Sequence, residues 1–456
     1  MTTTSWAAVI LAAGKGTRMR SRVPKVLHLI GGRAMILYPL EALRPLPLRQ
    51  TFIVVGPDGE NLRNVIGGGW EYIVQNQPLG TGHALAQTQK DIPQTIENLL
   101  VLNGDVPLIS PQSLSHMMNH HCASGAAITL LTTDRFQQRG LGRILRNSSG
   151  QITEIIEEIE DEARSHEAFE LNSGIYCFSS QWLWDNMQNL SPHDNGELYL
   201  TDMVSMAAKS GQKVESVSPK DPMEILGINN RIDLAQAEEF MQRRTREGWM
   251  KKGVTLLNPS SIFIDVTVDI GMDTAIYPNT FLTGTTRIGE QCTIGPNTTI
   301  RDSIIGDNCR IQTSMIEEAT LEEGVDVGPY SHIRPDSHLE QGVHIGNFVE
   351  VKKSRLGRGT KMGHFSYVGD ATIGANVNIG AGTITCNFDG LRKNRTIIED
   401  DAFIGSDSML VAPVRIGPRA ITGAGSVVTH DVPADALVVG APAQIKEKPV
   451  RKGGSD

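Results

Sequence analysis

The sequence predicts an α/β domain followed by a parallel β-helix of hexapeptide repeats, with a helix joining the two. Three observations carry this. In the second half Ile264, Ile270, Ile276, Leu282, Ile288, Ile294 and Ile300 recur in unbroken steps of six, a period that neither a helix (3.6) nor a strand (2) produces. In the first half, buried-strand runs (WAAVIL, Thr51–Val55, Leu99–Leu102) alternate with helical stretches and Gly-rich turns, the βαβ rhythm of a parallel sheet. Between the halves, RIDLAQAEEFMQRRTREGWMKKG is rich in good helix formers and ends at Gly253. The boundaries implied are 1–229, 230–252 and 253–456.

Bulk properties narrow the function. At 456 residues the chain has room for two or three domains and ample material for large cores. A net charge of -9 argues against a nucleic-acid partner, which would bring a basic surplus or stripe. No run approaches the roughly 20 apolar residues of a membrane span, and Trp6 to Ala13 lacks the basic flank of a signal peptide. Five widely spaced cysteines without a CxxC read as reduced thiols with no zinc framework. The expectation is a cytoplasmic protein with neither a membrane span nor a nucleic-acid partner.

In residues 1–229 the first strand runs into LAAGKGTRM (Leu11 to Met19). A strand feeding a Gly-rich turn brings backbone N–H groups onto an anion, although Gly14-Lys15-Gly16-Thr17 matches neither the Walker spacing nor the three-glycine dinucleotide fingerprint. Pro24-Lys25 adds a second cation, and Leu79-Gly80-Thr81-Gly82 reads as a second Gly-rich turn. Asp105 follows a buried strand at the edge where open α/β sheets bind ligands. A carboxylate there suits magnesium on phosphates; the bland reading is an N-cap or Asx-turn.

The joining segment 230–252 reads as a helix with a solvated charged face. In the repeats, three hexapeptides complete one coil, so residues eighteen apart stack and residues six apart lie on different faces. His332, His338 and His344 therefore point apart and cannot gather on one ion within a chain. Arg334 and Lys352 stack in adjacent coils, which is either a surface column or the seat of an anion such as a sugar phosphate. The beat slips by one at Ile305, and it breaks at Thr383 to Thr396, an insertion of the kind that carries function on solenoids. His364 and Tyr367 stand just before it.

Taken in order, LAAGKGTRM, PKVLH, QNQPLGTGHA, NGDVPLI, GLGRI, LNSGIY and GINNR resemble the nucleotidyltransferase domain of sugar-1-phosphate pyrophosphorylases. With GHFSYVGDATIGANVNIGAGTITCN in the repeats, nearly the whole chain is similar to the bifunctional bacterial N-acetylglucosamine-1-phosphate uridylyltransferase/glucosamine-1-phosphate acetyltransferase family. The resemblance implies a Rossmann-like mixed sheet, a left-handed coil and a homotrimer. It also implies Mg²⁺ as cofactor, with acetyl-CoA, UTP and the two sugar phosphates as substrates. Residue by residue, it places Leu11, Ala12, Ala13 and Gly14 on the nucleotide, with Gln75, Gly80 and Thr81 along the uridine pocket. Lys25 would meet the phosphates, with Lys15 and Arg18 beside it. Gly142, Glu157 and Asn172 would hold the N-acetylglucosamine ring, and Asp105 and Asn229 the magnesium.

For the acetyltransferase half, the resemblance makes His364 the general base toward the glucosamine amine. Arg334, Lys352, Tyr367, Asn378 and Asn387 would bind glucosamine-1-phosphate, and Ala381, Ser406 and Ala424 coenzyme A. Three positions depart from the family pattern: Asn103 stands for a Tyr, Phe388 for a Tyr, and Ala441 for an Arg that can bind coenzyme A. A pyrophosphorylase whose solenoid serves only oligomerisation or regulation is the alternative. Arg334, Lys352, His364 and Asn387 speak against it, because a purely structural solenoid has no use for that set.

Overall fold

A computed structural model describes residues 4–135, 141–157 and 170–446. Gly140 of the GLGRI motif and the tail beyond Lys446 lie outside the described residues. The chain forms two compact units, Met1–Met241 and Gln242–Asp456.

The first unit is built on a mixed sheet. Its strand order is Val214–Val217, Ile128–Thr133, Glu170–Ser179, Asn98–Asn103, Trp6–Leu11, Leu48–Val55, Glu71–Val74. Every pairing on that path is parallel except the two made by Glu170–Ser179, which runs antiparallel to both neighbours. The central strands are apolar on both faces because helices cover both: Val9, Ile10, Val101 and Leu102 are fully buried. The helix Pro111–Ser124 starts where Ser110 accepts a hydrogen bond from the Ser113 amide at 3.2 Å, and stops at Gly125 in the left-handed region (φ 64). Leu79–Gly82 is not a free turn: Gly80 opens the short helix Gly80–Ala86, and the Gly82 amide donates to the Leu198 carbonyl at 2.9 Å.

The helix Arg231–Lys251 opens with reciprocal capping. Asn230 Oδ1 accepts from the Asp233 amide at 3.0 Å, and Asp233 Oδ2 accepts from the amides of Asn229 and Asn230 at 2.8 and 3.2 Å. It is less solvated than its composition predicts, since Ala237, Met241 and Trp249 are buried.

The second unit is a left-handed parallel β-helix of short strands in three stacks. Phe263 pairs with Phe281, Asp269 with Arg287 and Ala275 with Thr293, each eighteen residues on. The slip at Ile305 is a shortened coil, since Arg287 pairs with Ile304. The aliphatic of each hexapeptide points inward, and Ile264, Ile294, Ile333, Leu356 and Ile404 are fully buried in one continuous core. The insertion is tighter than its sequence bounds: Ile384–Cys386 and Thr396–Ile398 still belong to the coil, and the excursion lies between them. Asn378 accordingly pairs with Phe403, twenty-five residues on.

Candidate functional site

In the first unit, a cleft of about 790 Å³ opens at the C-terminal edge of the parallel strands. Leu11, Ala13 and Gly14 line it from the first strand, and Gln75, Gly80 and Thr81 from the helix Gly80–Ala86 and the strand end before it. Gln75 is buried and its amide is fixed by the Gly80 carbonyl at 3.1 Å and the His83 ring at 3.0 Å. Ala12 lies behind this wall, with its amide donating to the Val54 carbonyl at 2.9 Å.

Lys25, Asn229 and Arg18 meet on the same cleft. Lys25 Nζ donates to Asp105 Oδ2 and, at 3.4 Å, to Asn229 Oδ1, which also accepts from Arg18 Nη2 at 2.9 Å. Gly16 makes this possible twice over. Its φ of +58 is left-handed, which glycine adopts without strain, and a Cβ there would stand 2.6 Å from that of Lys25. Asp105 is therefore neither an N-cap nor an Asx-turn; it reaches over to the ammonium of Lys25. Two hard oxygens converging on one cation are the donor set magnesium takes when phosphates and water complete its shell, so these residues fit the ion.

On the opposite wall, Gly142, Glu157 and Asn172 line the cleft. The Asn172 amide donates to the Gly142 carbonyl at 2.8 Å, and Asn172 Nδ2 to the Tyr176 hydroxyl at 2.7 Å. Thr201 Oγ1 donates to Glu157 Oε1 at 2.9 Å, so Thr201 fixes this carboxylate from a segment that no motif flags. Asn103, the substitute for Tyr, also faces the cleft.

In the second unit, Arg334 and Lys352 stand in adjacent coils, since Ile333 pairs with Val351. Sequence reasoning missed their partners. Arg334 Nη1 donates to Glu350 Oε1 at 2.6 Å, and the Lys352 ammonium is held below its usual pKa by Lys393 first and by Arg334 as well, with Asp370 opposing. Asn387 is buried and ties Tyr367 to this group, donating to Asp370 Oδ2 at 2.6 Å and approaching the Tyr367 hydroxyl at 3.5 Å. Lys393 comes from the excursion, whose neighbour Asp389 is held well below the ordinary carboxylate range, at about 2, chiefly by the Arg392 amide and the Asn394 side chain.

His364 lies in the strand Lys361–Gly369, opposite Asn347, with its ring exposed. Its side chain makes no hydrogen bond among the described residues. Asn378 follows on the next coil, paired with Lys361. Ala381, Ser406 and Ala424 form a column along one corner: the Asp407 amide donates to the Ala381 carbonyl at 2.6 Å and the Gly425 amide to the Ser406 carbonyl at 2.8 Å. Each of the three spaced histidines has its own acid, His332 with Glu317, His338 with Glu322 and His344 with Asp326, at 2.8, 2.8 and 3.0 Å. Among the described residues no cluster of three or more His, Cys, Asp or Glu could hold a metal.

The nucleotidyl transferase family model matches residues 7–251, the bacterial transferase hexapeptide model 395–430, and the succinyl-transferase hexapeptide model 285–313. The chain is 46% identical over 433 residues to the bifunctional protein GlmU of Heliobacterium modesticaldum, covering 95% of this chain and 94% of that one. It is 42% identical over 434 residues to its counterpart in Exiguobacterium sibiricum, covering 95% and 96%. A third, from Streptococcus thermophilus, is 42% identical over 442 residues, covering 97% and 96%. The chain is a transferase and belongs to the family of bifunctional GlmU proteins, in which a nucleotidyl transferase half is followed by hexapeptide repeats.

Proposed function

We propose that the chain makes UDP-N-acetylglucosamine in two steps. Its repeats acetylate glucosamine-1-phosphate from acetyl-CoA, and its first unit then transfers uridylyl from UTP to N-acetylglucosamine-1-phosphate, releasing pyrophosphate. One observation carries the reading: likeness to bifunctional relatives runs the full length, over both a cation-lined cleft and the Arg334–Lys352 column beside Tyr367 and Asn387.

In the cleft, Leu11 to Gly14, Gln75, Gly80 and Thr81 hold the nucleotide, while Gly142, Glu157 and Asn172 orient the sugar. The sugar-phosphate oxygen then faces the α-phosphorus of UTP in line with the departing pyrophosphate. Such a transfer needs positioning and charge neutralisation more than covalent help. Lys25 and Arg18 supply fixed positive charge, with Lys15 beside them. Magnesium, held by Asp105 and Asn229, adds charge neutralisation on the phosphates when bound. An Asp105 carboxylate committed to the metal would leave the Lys25 ammonium free for the phosphates.

In the repeats, Arg334 and Lys352 take the phosphate of glucosamine-1-phosphate, and Tyr367, Asn378 and Asn387 the sugar. His364 removes a proton from the amine as it attacks the thioester carbon, and coenzyme A leaves as the thiol. An imidazole suits this because its ordinary pKa lies near working pH. Ala381, Ser406 and Ala424 offer a small-residue corner along which coenzyme A lies.

His364 stands open on one coil face, which fits a site completed by a neighbouring subunit. A groove of about 410 Å³ beside it is floored by exposed aromatics, Tyr330 at 61%, Phe348 at 62% and Phe365 at 58%. The Tyr330 and Phe348 rings stack at 5.3 Å. Apolar surface of this kind marks a contact, here the one that would make a homotrimer. No helix among the described residues is long and apolar enough to cross a membrane; a cytoplasmic enzyme is the reading that suits the proposed UTP and acetyl-CoA.

Two assays test the proposal: free thiol from acetyl-CoA on adding glucosamine-1-phosphate, and pyrophosphate from UTP, Mg²⁺ and N-acetylglucosamine-1-phosphate. Both products are expected. Pyrophosphate without thiol would leave a nucleotidyltransferase with a structural solenoid, and neither would leave no enzyme of this kind.

A further inference from the structure

The first forty residues hold six cations, Lys15, Arg18, Arg20, Arg22, Lys25 and Arg33, and no acid, in a chain whose net charge is -9. Three of the six have partners: Arg18 donates to Asn229, Lys25 to Asp105 and Arg33 to Glu41. Arg20 and Arg22 are exposed, and among the described residues neither has an acid within ion-pair distance. In the repeats some exposed arginines are matched across coils, as in Arg301 with Glu317, Arg355 with Glu340 and Arg415 with Glu399, while others such as Arg287 and Arg358 have no acid within ion-pair distance among the described residues. What sets Arg20 and Arg22 apart is their place: they lie in a stretch without acids, between two segments that line the cleft.

Their loop is held in place. Met19 is buried at 1% exposure, and its carbonyl accepts from Arg231 Nε at 3.3 Å. The Arg20 amide donates to the Thr17 carbonyl at 3.1 Å from a left-handed backbone (φ 48), and the Val23 amide to Ser21 Oγ at 3.1 Å. Residues on both sides line the cleft, Lys15 to Arg18 before and Lys25 after, so Arg20 and Arg22 belong to the short loop that joins two parts of its wall without lining it themselves. They make no buried contact that the fold needs, and an exposed charge adds little to stability. What they do supply is field: within a Debye length, about 8–10 Å at ordinary ionic strength, unpaired cations near a cleft draw in a polyanion.

We infer that Arg20 and Arg22 steer the nucleoside triphosphate into the cleft, acting on its capture and not on the transfer step. This rests on the uridylyl-transfer reading of the cleft. The test uses the full-length R20Q/R22Q chain, with UTP as the varied substrate, at about 0.02 M and about 0.5 M salt. At low salt kcat/KM for UTP should fall about 5- to 10-fold while kcat stays within about twofold, and the gap should close at high salt. R20K/R22K should restore the wild-type value, since charge and not guanidinium shape is what acts. Wild-type kcat/KM in R20Q/R22Q at low salt, a loss that persists at high salt, a loss confined to kcat, or no rescue by lysine would each overturn the inference. A wild-type chain that releases no pyrophosphate from UTP overturns the reading of the cleft and the inference together.

Discussion

Lys25 answers to two oxygens at once, and the proposed uridylyl transfer turns on that contact. Removing Asp105 leaves the ammonium with Asn229 alone and deletes the carboxylate of the proposed metal pair. Asp105→Ala should cut pyrophosphate release by about 10²-fold or more, in the range of a lost charge-stabilising group, and leave thiol release from acetyl-CoA intact. His364→Ala should do the reverse, lowering thiol release by about 10²- to 10⁴-fold, the contribution of a positioned general base. Both residues stand out in the sequence, Asp105 by its place after a strand and His364 by its motif. Their surroundings do not. Thr201 on Glu157 and Lys393 near Lys352 are contacts between residues with no spacing to announce them, whereas Glu350 on Arg334 repeats the sixteen-residue diagonal of Arg301 with Glu317 and Arg415 with Glu399.

At the scale of elements, the six-residue beat was legible because the coil leaves no other period, and even the slip at Ile305 appears as a register change. The ends of the insertion were not, because Ile384–Cys386 and Thr396–Ile398 carry no glycine to mark where the coil resumes. Close stacking limits what the coil tolerates. A Cβ on Gly346 would stand 1.9 Å from the Gly363 carbonyl oxygen, beside His364, so Gly346→Ala should spread two coils and lower both thermal stability and acetyl transfer. The inward Ile333→Ala should cost about 2–5 kcal/mol in denaturant unfolding. In the first unit, the helix Pro111–Ser124 carries His121 against the sheet, where its ring bonds Thr129 Oγ1 at 2.8 Å. Burial first, and then His120, lowers its pKa from 6.5 to about 4. Between those values the unfolded chain binds a proton that the folded chain does not, so stability falls as pH drops through this window. From pH 7 to pH 5 the loss is about 2 kcal/mol, and His121→Gln should flatten that slope in chemical denaturation at the two pH values.

At the scale of the whole molecule, the proposal gives two compact units two chemistries whose substrates connect them: the acetylated sugar phosphate made by one would be consumed by the other. The division into an α/β half and a repeat half is visible in periodicity alone, whereas the pairing of activities is visible only in the ordered motifs. The central claim is that both sites reside in this one chain. Its most direct measurement is mass-spectrometric detection of UDP-N-acetylglucosamine after supplying glucosamine-1-phosphate, acetyl-CoA, UTP and Mg²⁺ to the wild type and to His364→Ala. The account predicts product from the wild type, and none from His364→Ala until N-acetylglucosamine-1-phosphate is added. Full conversion by His364→Ala without that addition, or no conversion by the wild type, would contradict it.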